Sequence, residues 1–437
     1  MSKLNIIPIG TLFDLEKGSL QSSKCTEGEY TFITAAQEWK THNEYSHECE
    51  ALIFAAAASG SLGRTHYIND KFITSDLCFI LTPKDTKKYP INLKFYHFVF
   101  NSLKDEIVKN TKSGTSKESI NQSNLRNYEI PYFEIDKQNL WINKLVNTKS
   151  IKEDLELELS TGQSLLKQLK QTILQEAIEG KLTEKWRAKN PDIGTAKELL
   201  SQIKKEKEKL VKDKKLKKSQ DIKNIKTIRT LNIPSTWEWA KGDEIFFVTK
   251  LAGFEYTEHI KLEDSGDIPV VRAQNVRPFQ IKKDSLKYID IETSLKLERC
   301  ALTKQALLIT FIGAGIGDVA LFDEKKRWHL APNVAKQEIF EGCEDLISLR
   351  FINQYLMSNV GREELFKHVK ATAQPSLSMG TIRDIDYPIP PIEEQKEIVA
   401  TIEKLFALCD ELESEINQNK TTVDNLMATV LKEAFEN

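Results

Sequence analysis

The side chains best equipped for specific chemistry fall into two sets. Gln37, Lys40, His42, Asn43, Arg64 and His66 sit in turn-rich segments of the first half, and Arg272, Gln274, Asn275, Arg277 and Lys282 in those of the second. Later loops add Lys112, Thr115, Ser116 and Lys117 to the first set and Thr372, Gln374 and Ser376 to the second. Guanidinium and carboxamide groups make paired hydrogen bonds to planar heterocycles. Arginine suits guanine, asparagine and glutamine suit adenine, and serine, threonine and histidine act in support. Singly, each such residue is ordinary polar surface. As clusters at matching positions in both halves they fit the reading of base edges in a DNA groove.

Other chemistry is disfavoured. Gly313-Ala314-Gly315-Ile316-Gly317 invites a nucleotide or S-adenosylmethionine reading, but a phosphate-cradling glycine loop needs a strand before it and a helix after it. Here Asp318-Val319-Ala320-Leu321-Phe322 reads as a second strand, which predicts a hairpin turn. No G-x-x-x-x-G-K-[ST] loop occurs, and Pro390-Pro391 lacks the surroundings of an amino-methyltransferase motif. His42, His47 and Cys49 match no zinc-pair spacing and lack a fourth ligand. Ser61 has no strand–elbow–helix context. The expectation is a non-catalytic chain with no cofactor or metal of its own.

The bulk properties fit a multi-domain globular protein. The chain has 437 residues, 40% hydrophobic and 29% charged, with a net charge of −2. Global attraction to a polyanion is therefore absent, and any nucleic-acid binding must come from local patches or basic partners. The six cysteines form no C-x-x-C pair, the first residues lack the layout of a signal peptide, and the longest apolar stretch carries three glycines and Asp318. Together these predict a reduced, cytoplasmic protein with no membrane span.

The elements that must position the two polar sets are written twice. Leu169 to Glu179 reappears as Leu426 to Glu436, and Leu125-Arg126-Asn127…Pro131 as Ile382-Arg383-Asp384…Pro388, each 257 positions on. Leu62-Gly63-Arg64 matches Ile316-Gly317-Asp318 at offset 254, and Phe32-Ile33 matches Val270-Val271 at offset 238. Each half opens with short β-type runs, continues with a helix-like segment, and closes in a long amphipathic stretch. Apolar steps of four and three place Leu155, Leu159, Gly162, Leu166, Leu169 and Ile173 on one helix seam and Leu412, Ile416, Asn419, Val423, Leu426 and Val430 on the other. Matched registers make each seam the simplest partner of the other.

These readings divide the chain into an α/β (α+β) tandem repeat with pseudo-two-fold character. A first domain spans 1–148, a central long helix 149–184, a charged linker 185–230, a second domain 231–391 and a C-terminal long helix 392–437. The two helices are expected to run antiparallel as a coiled coil, with one mixed domain at either end. The linker's Lys204-Lys205-Glu206-Lys207 run reads as a solvated tether.

Several segments together resemble the DNA-specificity subunit of Type I restriction–modification systems. They are Ile233-Pro234-Ser235-Thr236-Trp237-Glu238-Trp239, Gln305 to Ile309 with Gly315 to Ala320, Thr372 to Ser378, Pro388-Ile389-Pro390-Pro391-Ile392-Glu393-Glu394-Gln395, and Glu176 to Thr183. The first half departs from the family pattern: no Trp-containing lead-in precedes Pro8, and Pro131-Tyr132-Phe133 lacks the double proline. The resemblance implies two target recognition domains that read the halves of a split, asymmetric site in double-stranded DNA. It also implies partners: two modification subunits that carry S-adenosylmethionine and methylate adenine, and restriction subunits that use ATP and Mg for translocation and cleavage. Two rival readings are a self-contained methyltransferase using the Gly313 to Gly317 loop and a structural coiled-coil protein.

Overall fold

The computed structural model describes residues 5–58, 60–113, 118–216, 231–367, 369 and 376–436. It divides into two compact units, Met1–Gly162 with Glu415–Asn437, and Gln163–Ser414.

In the first unit the chain runs β1 (Asn5–Pro8), α1 (Ile9–Leu12), β2 (Phe13–Lys17), β3 (Tyr30–Ile33), β4 (Lys40–His42), β5 (His47–Ala55), β6 (Thr65–Thr74) and β7 (Cys78–Pro83). There follow α2 (Leu93–Ser102), α3 (Lys104–Thr111), β8 (Lys112–Ser113), β9 (Ser119–Ile120), α4 (Gln122–Asn127), β10 (Glu129–Tyr132) and the long α5 (Ile135–Ile178). Six strands form one sheet in the order β2-β7-β5-β6-β3-β4, with β3 parallel to β6 and the other pairs antiparallel. Side-chain alternation along β5 sorts its residues to opposite faces. Leu52 and Phe54 join Phe79, Leu81, Leu93, Tyr96 and Phe100 in one core, while Ala51, Ile53 and Ala55 join Ile33, Phe72 and Ile80 in the other. The Asn92 side chain caps α2 by accepting from Phe95 N at 3.2 Å. β1 and β10 form a separate ribbon, Ile7 opposite Ile130.

The long helix starts at Ile135, well before the expected 149. Its first turns bury Trp141, Ile142 and Leu145 in the domain core together with Val430 and Leu431, so they follow the shape of the domain and show no heptad pattern. Lys144 meets Glu433 at 2.8 Å, and a Cβ on Gly162 would lie 3.5 Å from Ile416, which makes this pairing antiparallel.

The second unit contains the end of α5, then α6 (Glu184–Lys189), α7 (Ala196–Lys212), β11 (Glu238–Lys241), α8 (Gly242–Ile245), β12 (Phe246–Lys250), α9 (Gly253–His259), β13 (Ile268–Val271), β14 (Val276–Arg277), β15 (Gln280–Ile281) and β16 (Lys287–Ile289). It continues through α10 (Ile291–Lys296), β17 (Ala301–Leu302), β18 (Ala306–Thr310), β19 (Val319–Phe322), β20 (Trp328–Leu330), β21 (Val334–Ile339), α11 (Leu349–Met357), α12 (Asn359–Phe366), α13 (Met379–Arg383), β22 (Asp386–Ile389) and the start of α14 (Ile392–Glu436). The order β12-β21-β18-β19 repeats β2-β7-β5-β6, and the β11–β22 ribbon pairs Glu238 with Ile389 as β1–β10 pairs Asn5 with Tyr132. A second sheet, β16-β13-β20-β17, takes the place of the first unit's β3 and β4. Gln138 and Gln395, 257 positions apart, do one job in each unit. Gln138 Oε1 accepts from Asn92 N at 2.6 Å and Gln395 Oε1 from Ser348 N at 2.8 Å, fixing the long helix to the cap of α2 or α11.

Two expectations need correction. The 185–230 segment is not all tether: Ala196, Leu199 and Ile203 of α7 are buried, and Lys207 donates to the Asp243 carbonyl and lies over the Phe340 ring. Residues 217–230 lie outside the described residues. On the helices, Leu166, Ile173, Val423 and Val430 are buried and Leu155, Leu159, Gly162, Ile416 and Leu426 half-buried. Leu169 and Leu412, however, are 45% and 49% exposed, and Asn419 is exposed too. An α-helix drifts about 20° per heptad against a strict seven-residue seam. That drift turns Leu169 outward and brings in Lys170, which pairs with Asp410 at 2.8 Å and Glu413 at 2.9 Å, and buried Leu174. Among the described residues no helix is long and apolar enough to cross a membrane.

Candidate nucleic-acid interface

The polar residues of the first domain gather around the β5–β6 turn and the β3–β4 connection. Gly60 and Gly63 hold left-handed backbone, φ 79° and 78°, and Arg64 Nη1 closes the turn by donating to Ala35 O and Ser61 Oγ, both at 3.1 Å. Two positions on, His66 Nδ1 accepts from the indole of Trp39 at 3.3 Å with the rings edge to face. Its Nε2 is buried without a partner among the described residues. Burial, with the Arg64 charge, holds the His66 imidazole below its usual range. Burial also pushes His97 down to about 4, aided by the charges of Lys149 and His66. Gln37, Lys40 and Asn43 are exposed on the same stretch, and Asn43 Oδ1 accepts from Thr26 Oγ1 at 2.9 Å.

His42 departs from expectation. It is buried, with Nδ1 3.1 Å from Thr26 N and 3.2 Å from Thr26 Oγ1, so this nitrogen anchors β4 within the domain. His42 shares its strand face with the exposed Lys40, so its burial comes from local cover: Thr26 and Gly28 pack against it and the Phe32 ring lies 6.4 Å away. Lys112 is exposed and paired with Glu118 at 2.6 Å. Thr115, Ser116 and Lys117 lie outside the described residues. His47 stacks on Phe72 and reaches Glu16 at 3.2 Å, away from His42 chemistry.

In the second domain the loop from Arg272 to Lys282 is held from within. Asn275 is fully buried; its Oδ1 accepts from Arg272 N at 3.1 Å and its Nδ2 donates to Lys282 O at 3.1 Å and Asp284 O at 3.2 Å. It shapes the loop and offers no free edge, a correction to its expected reading role. The composition of the loop gave no hint that one of its three carboxamides would be consumed internally. Arg272 Nη2 donates to Ser285 O, and Arg277 Nη1 to Val276 O at 2.7 Å and Ala273 O at 3.2 Å, so both guanidiniums are half-buried and partly engaged. Gln274 and Lys282 project into solvent. Ser376 is exposed beside the bridge it makes to Ile312, while Thr372 and Gln374 lie outside the described residues.

The glycine-rich segment is the turn of the β18–β19 hairpin, with Gly313, Gly315 and Gly317 all at positive φ and no helix following. Arg362 Nη1 donates to Gly317 O at 3.3 Å, and Arg362 and Arg277 both act on the half-buried Asp318, whose carboxyl burial raises. Trp39, absent from the expected set, emerges as a partner of His66; it is the one tryptophan of the first 140 residues and lies between Gln37 and Lys40 in the sequence.

A family model described as the Type I restriction modification DNA specificity domain matches residues 1–159 and 234–419. The chain belongs to this family. The two matched spans take in both α/β domains and run on into the long helices, so this is a tandem specificity chain and recognition of DNA sequence is its function. Among similar proteins, the Type I restriction enzyme EcoDI specificity subunit of Escherichia coli is 21% identical over 438 residues, covering 98% of this chain and 87% of its own. The EcoKI specificity subunit of Escherichia coli (strain K12) is 23% identical over 343 residues, covering 78% of this chain and 64% of its own. The fold is shared with the HsdS subunit from Thermoanaerobacter tengcongensis at a TM-score of 0.53 and 12% identity, covering 100% of this chain and 97% of that one. It is shared also with a chain of a type I R–M system solved to explain complex assembly and conformational transition, at a TM-score of 0.66 and 11% identity, covering 100% and 99%.

Proposed function

We propose that this specificity chain reads a bipartite, asymmetric site in duplex DNA, one half-site per domain, and performs no catalysis itself. The observation that carries this reading is the repetition of one framework with different reading loops. The ribbon, the four-strand order and the hairpin glycines Gly63 and Gly317 recur, while the polar residues displayed beside them differ: Gln37, Lys40, Asn43 and Arg64 in one domain, Arg272, Gln274, Arg277, Lys282 and Ser376 in the other. One framework with two side-chain sets suits two unlike half-sequences. Helices α5 and α14, of 44 and 45 residues and each about 66 Å long at 1.5 Å per residue, supply the spacer.

Methylation and cleavage belong to partner subunits. S-adenosylmethionine is held by two modification subunits, which extrude and methylate an adenine in each half-site, and ATP and Mg by restriction subunits, in the cytoplasm. Leu165, Leu169, Leu408 and Leu412, exposed on the helices of the second unit, and Leu140, Ile151 and Leu157, exposed in the first, support docking of partner helices. The test is competition binding with the full chain. Preference for one duplex over scrambled competitors that survives raised salt supports sequence reading. Equal binding to all duplexes returns the chain to a structural role, and S-adenosylmethionine uptake by the chain alone in calorimetry would favour the methyltransferase reading.

A further inference from the structure

In the first domain β6 runs unbroken from Thr65 to Thr74, and its far end pairs in parallel with β3. In the second domain the corresponding path is cut. β19 stops at Phe322, β20 starts at Trp328 and still pairs in parallel with β13, and Asp323-Glu324-Lys325-Lys326-Arg327 loops out between them. The loop's acids and its arginine are engaged within the domain. Asp323 accepts from Gln305 Nε2 at 2.8 Å, Glu324 pairs with Lys283 at 2.7 Å, and Arg327 binds Ser294 and Glu298. Lys325 and Lys326 are exposed and have no hydrogen-bond or ion-pair partner among the described residues. The Glu324–Lys283 pair ties this loop to the reading loop at Lys282, also exposed and without an acidic partner among the described residues; the exposed Asp284 follows two positions on.

We infer that Lys325 and Lys326, together with Lys282, form a clamp for the phosphodiester backbone of duplex DNA beside the second reading loop. The inference rests on the DNA-reading function proposed above; it adds Lys325 and Lys326, which lie outside the reading set, and moves Lys282 from base reading to phosphate contact. A chain of net charge −2 gains no general attraction to DNA, so phosphate contacts must come from local cations free of acids. Three such ammonium groups on two loops joined by an ion pair meet that need. Their flexible stems suit point contacts to phosphate, which set position and carry no sequence information. The first domain has no counterpart, because its continuous β6 leaves no loop at this place.

The test measures affinity against salt for the full chain, using a duplex that carries the motif found by methylation sequencing and a scrambled duplex of equal length. Each phosphate contact adds about 0.9 to the slope of log K against log salt, so Lys325→Gln with Lys326→Gln should lower the slope by about 1.8. Between 50 and 200 mM salt the unaltered chain should then lose about 12-fold more affinity than the variant. The loss should be equal on both duplexes, with the methylated motif unchanged. Lys204→Gln with Lys205→Gln, the same charge change on α7, should leave the slope unaltered, and Lys325→Arg with Lys326→Arg should retain it. An unchanged slope in the glutamine variant, an equal fall in the α7 control, or an altered motif would overturn the clamp. Absence of salt-dependent duplex binding by the unaltered chain would instead remove the DNA-reading function itself.

Discussion

The indole of Trp237 donates a 2.9 Å hydrogen bond to the carboxylate of Glu394, a fully buried residue at the start of α14. The same carboxylate accepts from Thr183 Oγ1 at 2.7 Å and Arg187 Nη1 at 2.6 Å, just beyond the end of α5. One anion therefore joins the lead-in to the second domain, the end of one long helix and the beginning of the other. The position 257 residues earlier is Lys137, whose ammonium lies over the Phe133 ring. The repeat keeps the helix start and changes the chemistry of its lock.

Glu394→Gln removes the charge from a buried anion and leaves Arg187 and Trp237 with a weaker acceptor. Breaking a buried pair by changing one partner costs about 3–5 kcal/mol; retention of an isosteric acceptor should keep the loss near the lower end. Urea denaturation followed by tryptophan fluorescence should show the second unit destabilised by roughly 3 kcal/mol. An unchanged midpoint would mean the lock contributes nothing.

Gly63 and Gly317, at φ 78° and 80°, occupy equivalent hairpin turns. A Cβ would lie 2.6 Å from Val108 Cγ2 in the first case and 2.5 Å from the Phe366 ring in the second. Gly63→Ala and Gly317→Ala should each cost roughly 2 kcal/mol or more through backbone strain and overpacking. Each should also weaken recognition of one half-site only, which methylation of duplexes with one altered half would reveal.

His97 carries a pH dependence of defined sign. Its folded-state value is pushed down to about 4 by burial, so between there and its ordinary value near 6.5 the unfolded chain binds more protons than the folded one. Stability should therefore rise with pH across that window and fall as pH drops, by about 2 kcal/mol from pH 7 to pH 5. Denaturation at the two pH values, repeated on His97→Gln, checks this: the variant should lose most of the difference.

The spacer can be lengthened without changing the reading loops. Four residues inserted after Gly162 in α5 and four after Ser414 in α14 extend both helices by about 6 Å and nearly a whole turn. At about 3.4 Å per base pair the methylated motif should keep both half-sequences and gain one or two base pairs between them. An unchanged gap would mean the helices do not set the distance.

The framework was legible in the sequence because repetition shows itself in residue type: the 257-residue offset that joins Leu125-Arg126-Asn127 to Ile382-Arg383-Asp384 also joins the caps of their helices, Asn121 and Ser378. The start of α5 was hidden because Trp141, Ile142 and Leu145 obey the packing of the domain and not the heptad. The reading set was only partly legible. Residue type marks His42 and Asn275 as readers as readily as Gln37 and Gln274, and only the fold reveals that His42 Nδ1 and the whole Asn275 carboxamide are spent inside the domain. The free lysines 325 and 326 were hidden for the opposite reason, since a short charged run looks like any solvated turn until the partners of its neighbours are known.

The central claim is that this chain dictates a two-part DNA sequence. Mapping N6-methyladenine across a genome in cells that hold the modification subunits, with and without this chain, tests it most directly. The account predicts a single asymmetric bipartite motif, methylated in both halves, that appears only when the chain is present. Methylation at the same sites without the chain, or a continuous motif that appears with it, would contradict the account.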